Sequence, residues 1–389
     1  MYRHPSHLRI ANVRRTFRLL LARGPVSRAE VARASGLSGV TAGKVADEMI
    51  EAGLLEEIDA PPSSVPAMGR PPRLLSLSRT LRLPIVELGV RECVVRSITL
   101  ADAASPADVA RGPIERFAMP RTPHAFFGEL TKARRRLPRG ASPAVLMSVP
   151  GVLSAASDEV LFSPNLQWTH GREVLERIGR TFDAPSCAVQ EISALALGEL
   201  AHNEGSDSFL LVDFGDGVGG AVVLADRLLQ GPQPLCGEIG HTGLVGNRRR
   251  CGCGAVGCLE TLVSRGGLLA SFRTRRRAPK ATWDDCVEHV AARGIEPWLA
   301  TSIDAAATVI AGALNLIGVS ELVVTGDLPA LHPDVTALLD ERVQAHALIG
   351  RFGRLVCRTA PRRRVFGLVT AAADRVLLAE PAAPSLRAS

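Results

Sequence analysis

The chain has 389 residues, 46% hydrophobic and 22% charged, with a formal net charge of +7. That is a globular composition, long enough for about two or three domains, and it excludes a disordered, collagen-like or coiled-coil chain. No apolar run approaches the ~18 residues of a membrane-spanning helix, and the opening MYRHPSHLRIANVRRTF has no signal-peptide core, so a cytoplasmic protein with no membrane partner is expected.

The charge is unevenly placed. Residues 1–82 hold 13 Lys+Arg against 7 Asp+Glu, whereas the other residues hold 33 against 32. A small basic module on a near-neutral body points to nucleic acid as a partner.

In chain order, Ile10, Val13, Phe17, Leu20 and Leu21 recur at helical spacing and predict a first helix over residues 9–23, ended by Gly24-Pro25. Ser27-Arg28-Ala29-Glu30 has the capping-box pattern and predicts a second helix over residues 28–34. Ser35-Gly36-Leu37 is a tight turn, and Ser38 caps a third helix from Gly39 to about Ala52. A short helix, a glycine turn and a longer helix make a helix-turn-helix. Val45, Met49 and Ile50 face inward. Gly39, Thr41, Gly43, Lys44 and Asp47 lie on the exposed side or, with Ser38, near the helix start, where such helices meet the base edges of double-stranded DNA.

Residues 54–58 and 73–77 predict two strands around a Pro/Ser-rich stretch, which adds a wing. Arg70, in the wing-tip sequence Gly69-Arg70-Pro71-Pro72, is placed to enter the minor groove. A three-helix protein-binding module is the alternative.

The body alternates strands with helices, the pattern of an α/β fold. Strands are predicted over 84–98 (as a hairpin), 144–150, 209–213, 221–224 and 321–326. Helices are predicted over 126–136, 171–182, 192–202, 262–273, 301–317 and 365–379. No internal repeat is detectable. Three segments carry chemistry. Gly215-Asp216-Gly217-Val218-Gly219-Gly220 is a glycine-rich turn between strands, either a phosphate loop or a plain hairpin. Gly237-Glu238-Ile239-Gly240-His241 sets a carboxylate and an imidazole three residues apart. Cys251, Cys253 and Cys258 place three thiols within eight residues, and His241 completes a Cys₃His set suited to a structural zinc ion. The other five cysteines read as small buried apolar residues. Arg248, Arg249 and Arg250 either offset thiolate charge or form a solvated run.

Together these residues resemble the ROK family (repressors, open reading frames, sugar kinases). The resemblance covers nearly the whole chain. It rests on GEIGH followed by CGCGAVGCLE, on Val149-Pro150-Gly151 with Ser163-Pro164-Asn165-Leu166-Gln167-Trp168, on residues 186–199, and on GDGVGG. It implies a winged helix-turn-helix over residues 1–80, then a two-lobed actin-like body. The first lobe would span 81–185. The second would span 186–380 and hold the zinc loop, with its final helix packing back on the first lobe. Residues 381–389 would form a disordered tail. It further implies that Glu238, His241 and Glu260, with Asn165, bind sugar hydroxyls, and that His241, Cys251, Cys253 and Cys258 bind zinc.

The chain departs from the kinase members of that family. Their Asp-x-Gly-Gly-Thr phosphate loop is here Glu87-Leu88-Gly89-Val90-Arg91-Glu92. Their Asn-Asp pair, which holds the sugar and the general base, is Gln190-Glu191, so Glu191 is a degenerate base position. Asp216 stands where kinases carry Thr. The expected function is therefore a DNA-binding regulator, a repressor and not an enzyme, working as a homodimer whose body senses a sugar or sugar derivative. The alternative is an ATP-dependent sugar kinase, bifunctional or not.

Overall fold

The computed structural model describes residues 5–60, 73–140, 142–203, 206–231, 235–373 and 375. Arg70 and the wing tip, together with the tail, lie outside the described residues. The chain divides into two compact units. One comprises residues 1–161, 168–190 and 364–389, and the other residues 162–167 and 191–363.

The basic module opens the first unit. Helices Pro5–Arg23, Arg28–Ser35 and Gly39–Glu51 pack with a three-stranded antiparallel sheet in which Arg73–Leu77 lies between Val26–Ser27 and Leu55–Asp59. The capping box forms: the Ser27 hydroxyl accepts from the Glu30 amide at 3.2 Å, and the Glu30 carboxylate accepts from the Ser27 amide at 2.7 Å. Gly36 ends that helix in the left-handed region at φ 67°, which glycine adopts without a steric penalty. Phe17, Leu20, Leu21, Val31, Val45 and Met49 form the buried core. Ile50 is only half-buried, one step round the helix from Met49.

The rest of the first unit is built on a five-stranded sheet. An antiparallel meander of Arg82–Leu88, Glu92–Thr99 and Ile114–Ala118 is extended from its first strand by Val145–Val149 and then Ser186–Gln190, both parallel to it. Ser186–Gln190 is thus an edge strand of the first sheet, and this lobe runs to residue 190 rather than stopping at 185. Helix Arg364–Ala372 contributes eight of its nine residues, Val365–Ala372, to the buried interior of this unit.

The second unit repeats the plan. A meander of Phe209–Phe214, Val218–Leu224 and Arg227–Leu228 is extended from its first strand by Glu321–Gly326 and Val356–Thr359, again parallel. This duplicated topology is the two-lobed actin-like fold. It left no repeat in the sequence, because the two sheets share strand order and not side chains. The core of this unit is led by helix Pro297–Ile317, which buries Trp298, Leu299, Ile303, Ile310 and Leu314. That helix corrects one reading: at 21 residues it is long and apolar enough to cross a membrane by length and composition alone. Its buried residues recur at helical spacing along one face, as in a core helix. Helices Pro106–Arg111, Trp283–Arg293 and Pro333–His346 were not legible in the sequence.

Candidate metal centre and ligand site

Two glycines fix the GEIGH segment against strand Val218–Leu224. Gly237 has φ 91°, and a Cβ there would fall on the Gly220 carbonyl. A Cβ on Gly240 would fall on the Val218 carbonyl. The Gly220 amide donates to the Gly237 carbonyl at 2.7 Å, so the backbones touch directly. Glu238 and His241 are thereby held beside the Gly215–Gly220 turn.

The cysteine loop folds on itself. The Cys251 amide donates to the Ala255 carbonyl at 2.8 Å, and the Gly257 amide to the Arg249 carbonyl at 2.9 Å. Arg249 is not part of a solvated run. Its guanidinium donates to the Thr261 carbonyl at 2.7 Å, the Gly267 carbonyl at 3.2 Å and the Ser271 hydroxyl at 3.0 Å, which fastens the loop to the helices that follow. Arg248 and Arg250 are exposed.

The ligand atoms of His241, Cys251, Cys253 and Cys258 all lie within 4.8 Å of one another. A tetrahedral zinc ion with Zn–S of ~2.3 Å and Zn–N of ~2.0 Å sets two sulfurs ~3.8 Å apart, and sulfur and nitrogen ~3.5 Å apart. Here the Cys253 and Cys258 sulfurs are 3.7 Å apart, and Cys251 Sγ lies 3.6 Å from His241 Nδ1. The cluster has both the donor set and the spacing of a closed four-ligand site, so it could hold a metal ion. Without a cation, burial pushes the Cys251 thiol up to about 12 and raises Cys258, while the Ala255 backbone amide lowers Cys253.

The sugar-site candidates of the second unit converge on this centre. His241 Nε2 lies 3.7 Å from Glu238 Oε2, so the imidazole turns one nitrogen to the cysteines and the other to the carboxylate. Glu260 Oε1 is 3.7 Å from Cys251 Sγ, and Glu260 Oε2 accepts from the Val218 amide at 2.9 Å. Asn165 reaches the same loop: its Oδ1 lies 4.0 Å from the position of a Cβ on Gly252. Glu191 opens helix Glu191–His202 in this unit, whereas Gln190 closes strand Ser186–Gln190 in the first.

Ion pairs flank both the 87–92 loop and the glycine-rich turn. In the first unit, buried Glu87 accepts from Arg96 at 2.9 Å and from Arg364 at 3.1 Å. In the second, Asp213 and Arg362 form a bidentate pair at 2.7 and 3.1 Å. The Arg362 guanidinium lies 2.5 Å from the position of a Cβ on Gly215, so it fills the space beside the glycine-rich turn. Arg363 and Arg358 both grip buried Glu199, at 2.7 and 2.6 Å. Sequence reading missed this network, because its partners lie far apart in the chain and follow no local period. The Arg362-Arg363-Arg364 triplet before an apolar helix was its only sequence trace.

In the basic module, Ser38 accepts from the Thr41 amide at 3.2 Å, and the two hydroxyls lie 2.9 Å apart. Gly39, Val40, Lys44 and Asp47 are exposed, and Gly43 is half-exposed. Arg28, not singled out in the sequence, ties the module together. It contacts Glu57 at 2.9 Å, Asp47 at 2.7 Å and the Gly43 carbonyl at 3.3 Å.

A two-lobed actin-like body with a cysteine loop beside a Glu/His cluster defines the sugar-kinase-like class. The ROK family model matches residues 120–364, well over half of the chain, and the protein belongs to the ROK family. Among curated relatives, a putative xylose repressor of Caldicellulosiruptor sp. (strain Rt8B.4) is 28% identical over 255 residues, which is 64% of this chain and 62% of that protein. The DNA-binding transcriptional dual regulator NagC of Escherichia coli (strain K12) is 22% identical over 347 residues, covering 85% of this chain and 84% of its own. Among solved structures, a ROK family transcriptional regulator, homologue of the E. coli MLC protein, is 19% identical with a TM-score of 0.73 and covers 96% of this chain and 98% of its own. A ROK family glucokinase from Streptomyces griseus, in complex with glucose and AMPPNP, is 20% identical with a TM-score of 0.60 and covers 76% of this chain and 99% of its own.

Proposed function

We propose that this protein is a DNA-binding transcriptional regulator, acting as a repressor in the cytoplasm. Its ROK body would bind a sugar or sugar-derived effector without phosphorylating it. The observation that carries this reading is the winged helix-turn-helix ahead of the body. The glucokinase match leaves about a quarter of the chain uncovered, whereas the regulator match spans 96% of it.

The ion pairs support the loss of phosphoryl transfer. Glu87 sits at the start of the degenerate phosphate loop and is already neutralised by two arginines. Gly89 is packed so that a Cβ would come within 2.7 Å of the Glu92 carbonyl, a tight turn with little room for a phosphate. At the second loop, the Glu260 carboxylate takes the Val218 amide and Asp216 adds a further negative charge, both of which oppose an anionic ligand.

Zinc at His241, Cys251, Cys253 and Cys258 would be structural, since four protein ligands leave no open position. When bound, it supplies a rigid cross-link and positive charge. Glu238, His241 Nε2, Glu260, Asn165 and Glu191, all in the second unit, would contact effector hydroxyls, since carboxylates form strong charge-assisted bonds. An effector with different affinities for the DNA-competent and DNA-incompetent states shifts their populations.

The working form would be a homodimer, because two-fold operators call for two-fold proteins. An apolar groove of about 1200 Å³ between residues 242–249 and helix Pro297–Ile317 supports this, with Val245 and Leu316 fully exposed or nearly so. Chromatin immunoprecipitation of the full chain tests the functional reading. Enrichment at discrete promoters is expected, and uniform background would contradict it.

A further inference from the structure

The outer face of helix Gly39–Glu51 carries few side chains able to read a base. Ser38 and Thr41 spend their hydroxyls on each other and on the helix cap, at 2.9 and 3.2 Å. Asp47 is held by Arg28 at 2.7 Å. Gly39 and Gly43 have no side chain. What remains over the first two turns is Lys44 and Val40, the latter 73% exposed. An exposed valine on a helix of a small soluble module gains nothing from burial there.

The two glycines make a second, independent observation. Neither has a positive φ, and a Cβ on either would meet nothing within 4 Å. The fold therefore gives no steric reason for them, although glycine weakens a helix relative to alanine. Glycines that the fold does not need, on the face that meets DNA, allow the helix backbone close to the groove floor. The side chain standing out beside them on that face is Val40.

We propose that Val40 is a specificity-determining residue that reads a thymine methyl group in each operator half-site. This rests on the DNA-binding reading above. In the major groove the thymine C5-methyl is the apolar feature, whereas adenine, guanine and cytosine present hydrogen-bonding edges. An isopropyl group pressed on such an edge would strip its water and return no hydrogen bond. Against thymine it buries a methyl group instead. Lys44, one turn along, supplies the charged contact.

The test begins by selecting duplexes from a random pool with the full chain. Each thymine of the selected site is then replaced singly by deoxyuridine, which removes the methyl and keeps the pairing. Burial of one methyl corresponds to about a fourfold change in Kd. One thymine per half-site should show a loss of about that size with the natural chain. Val40→Ala, a surface change that the fold tolerates, should bind the thymine and deoxyuridine duplexes equally. A natural chain indifferent to every replacement would overturn the proposal, as would a Val40→Ala chain that keeps the same sensitive position. Selection of no preferred sequence would overturn the DNA-binding reading and this one with it, whereas a selected site without methyl sensitivity would overturn this one alone.

Discussion

Arg364 and Glu87, 277 residues apart in sequence, meet at 3.1 Å inside the first unit, with Arg96 on the other carboxylate oxygen at 2.9 Å. Glu87 opens the segment proposed above to be a degenerate phosphate loop. The pairing turns that place into an ion-paired anchor for the last described helix. Both arginines lose this carboxylate charge if it is removed, although Arg96 keeps the Val109 carbonyl at 3.2 Å. Glu87→Gln should destabilise the chain by about 3 kcal/mol, the usual cost of breaking a buried pair. Chemical denaturation would measure it, and a loss within experimental error would show that the triad is not structurally important.

The proposed loss of phosphoryl transfer predicts no sugar kinase activity. A coupled ADP-release assay over hexoses and N-acetylhexosamines should stay at the no-sugar baseline. Turnover above ~1 s⁻¹, within the ordinary enzyme range, would restore the kinase alternative.

Removal of a metal ligand should act on stability and response together. Cys258→Ser should lose bound zinc, measured by elemental analysis, and should lower the melting temperature of the chain. The natural protein treated with a chelator should reach the same melting temperature. Retention of one zinc per chain by the variant would assign the ion elsewhere.

Gly237 offers a steric test of the ligand site. At φ 91°, with the Gly220 carbonyl where a Cβ would go, alanine carries both strain and a clash. Gly237→Ala should cost roughly 2 kcal/mol or more and displace Glu238 and His241. Sugar-induced thermal shifts should disappear while the basic module, in the other unit, keeps its DNA affinity. An unchanged thermal shift would show that the GEIGH segment does not form the effector site.

Assembly has its own test. Leu316 is 88% exposed on helix Pro297–Ile317. Leu316→Glu places a charge on the apolar groove, and in light scattering it should give a monomer where the natural chain gives a dimer. A variant that remains dimeric would place the interface elsewhere.

Local sequence signals were the legible ones. Ser27 and Glu30 announced a helix start because a capping box is a four-residue pattern, and the structure forms it. The hairpin over 84–98 and the strand Glu321–Gly326 were readable because β-branched residues cluster there. The cysteine cluster was legible because three of its four potential metal ligands, Cys251, Cys253 and Cys258, lie within eight positions. The Arg364–Glu87 and Arg363–Glu199 pairs were not, since nothing within a local window links them. The same holds for the duplicated sheet, whose repeat is one of topology. Helix Pro333–His346 was missed because its buried residues, Val335, Leu339 and Val343, are sparse among polar ones. Val40 carries no sequence signal of its own, since its prominence rests on its exposure and on the occupied hydroxyls and Asp47 around it.

Sequence-specific DNA binding by the full chain can be measured by fluorescence anisotropy. The duplexes would be the gene's own upstream region and a scrambled version, in a salt series. Specific binding typically exceeds nonspecific binding by ~10³-fold or more. A preference of that size should persist as salt weakens both complexes. Equal, steeply salt-dependent affinity for the two duplexes, or no binding at low salt, would contradict it.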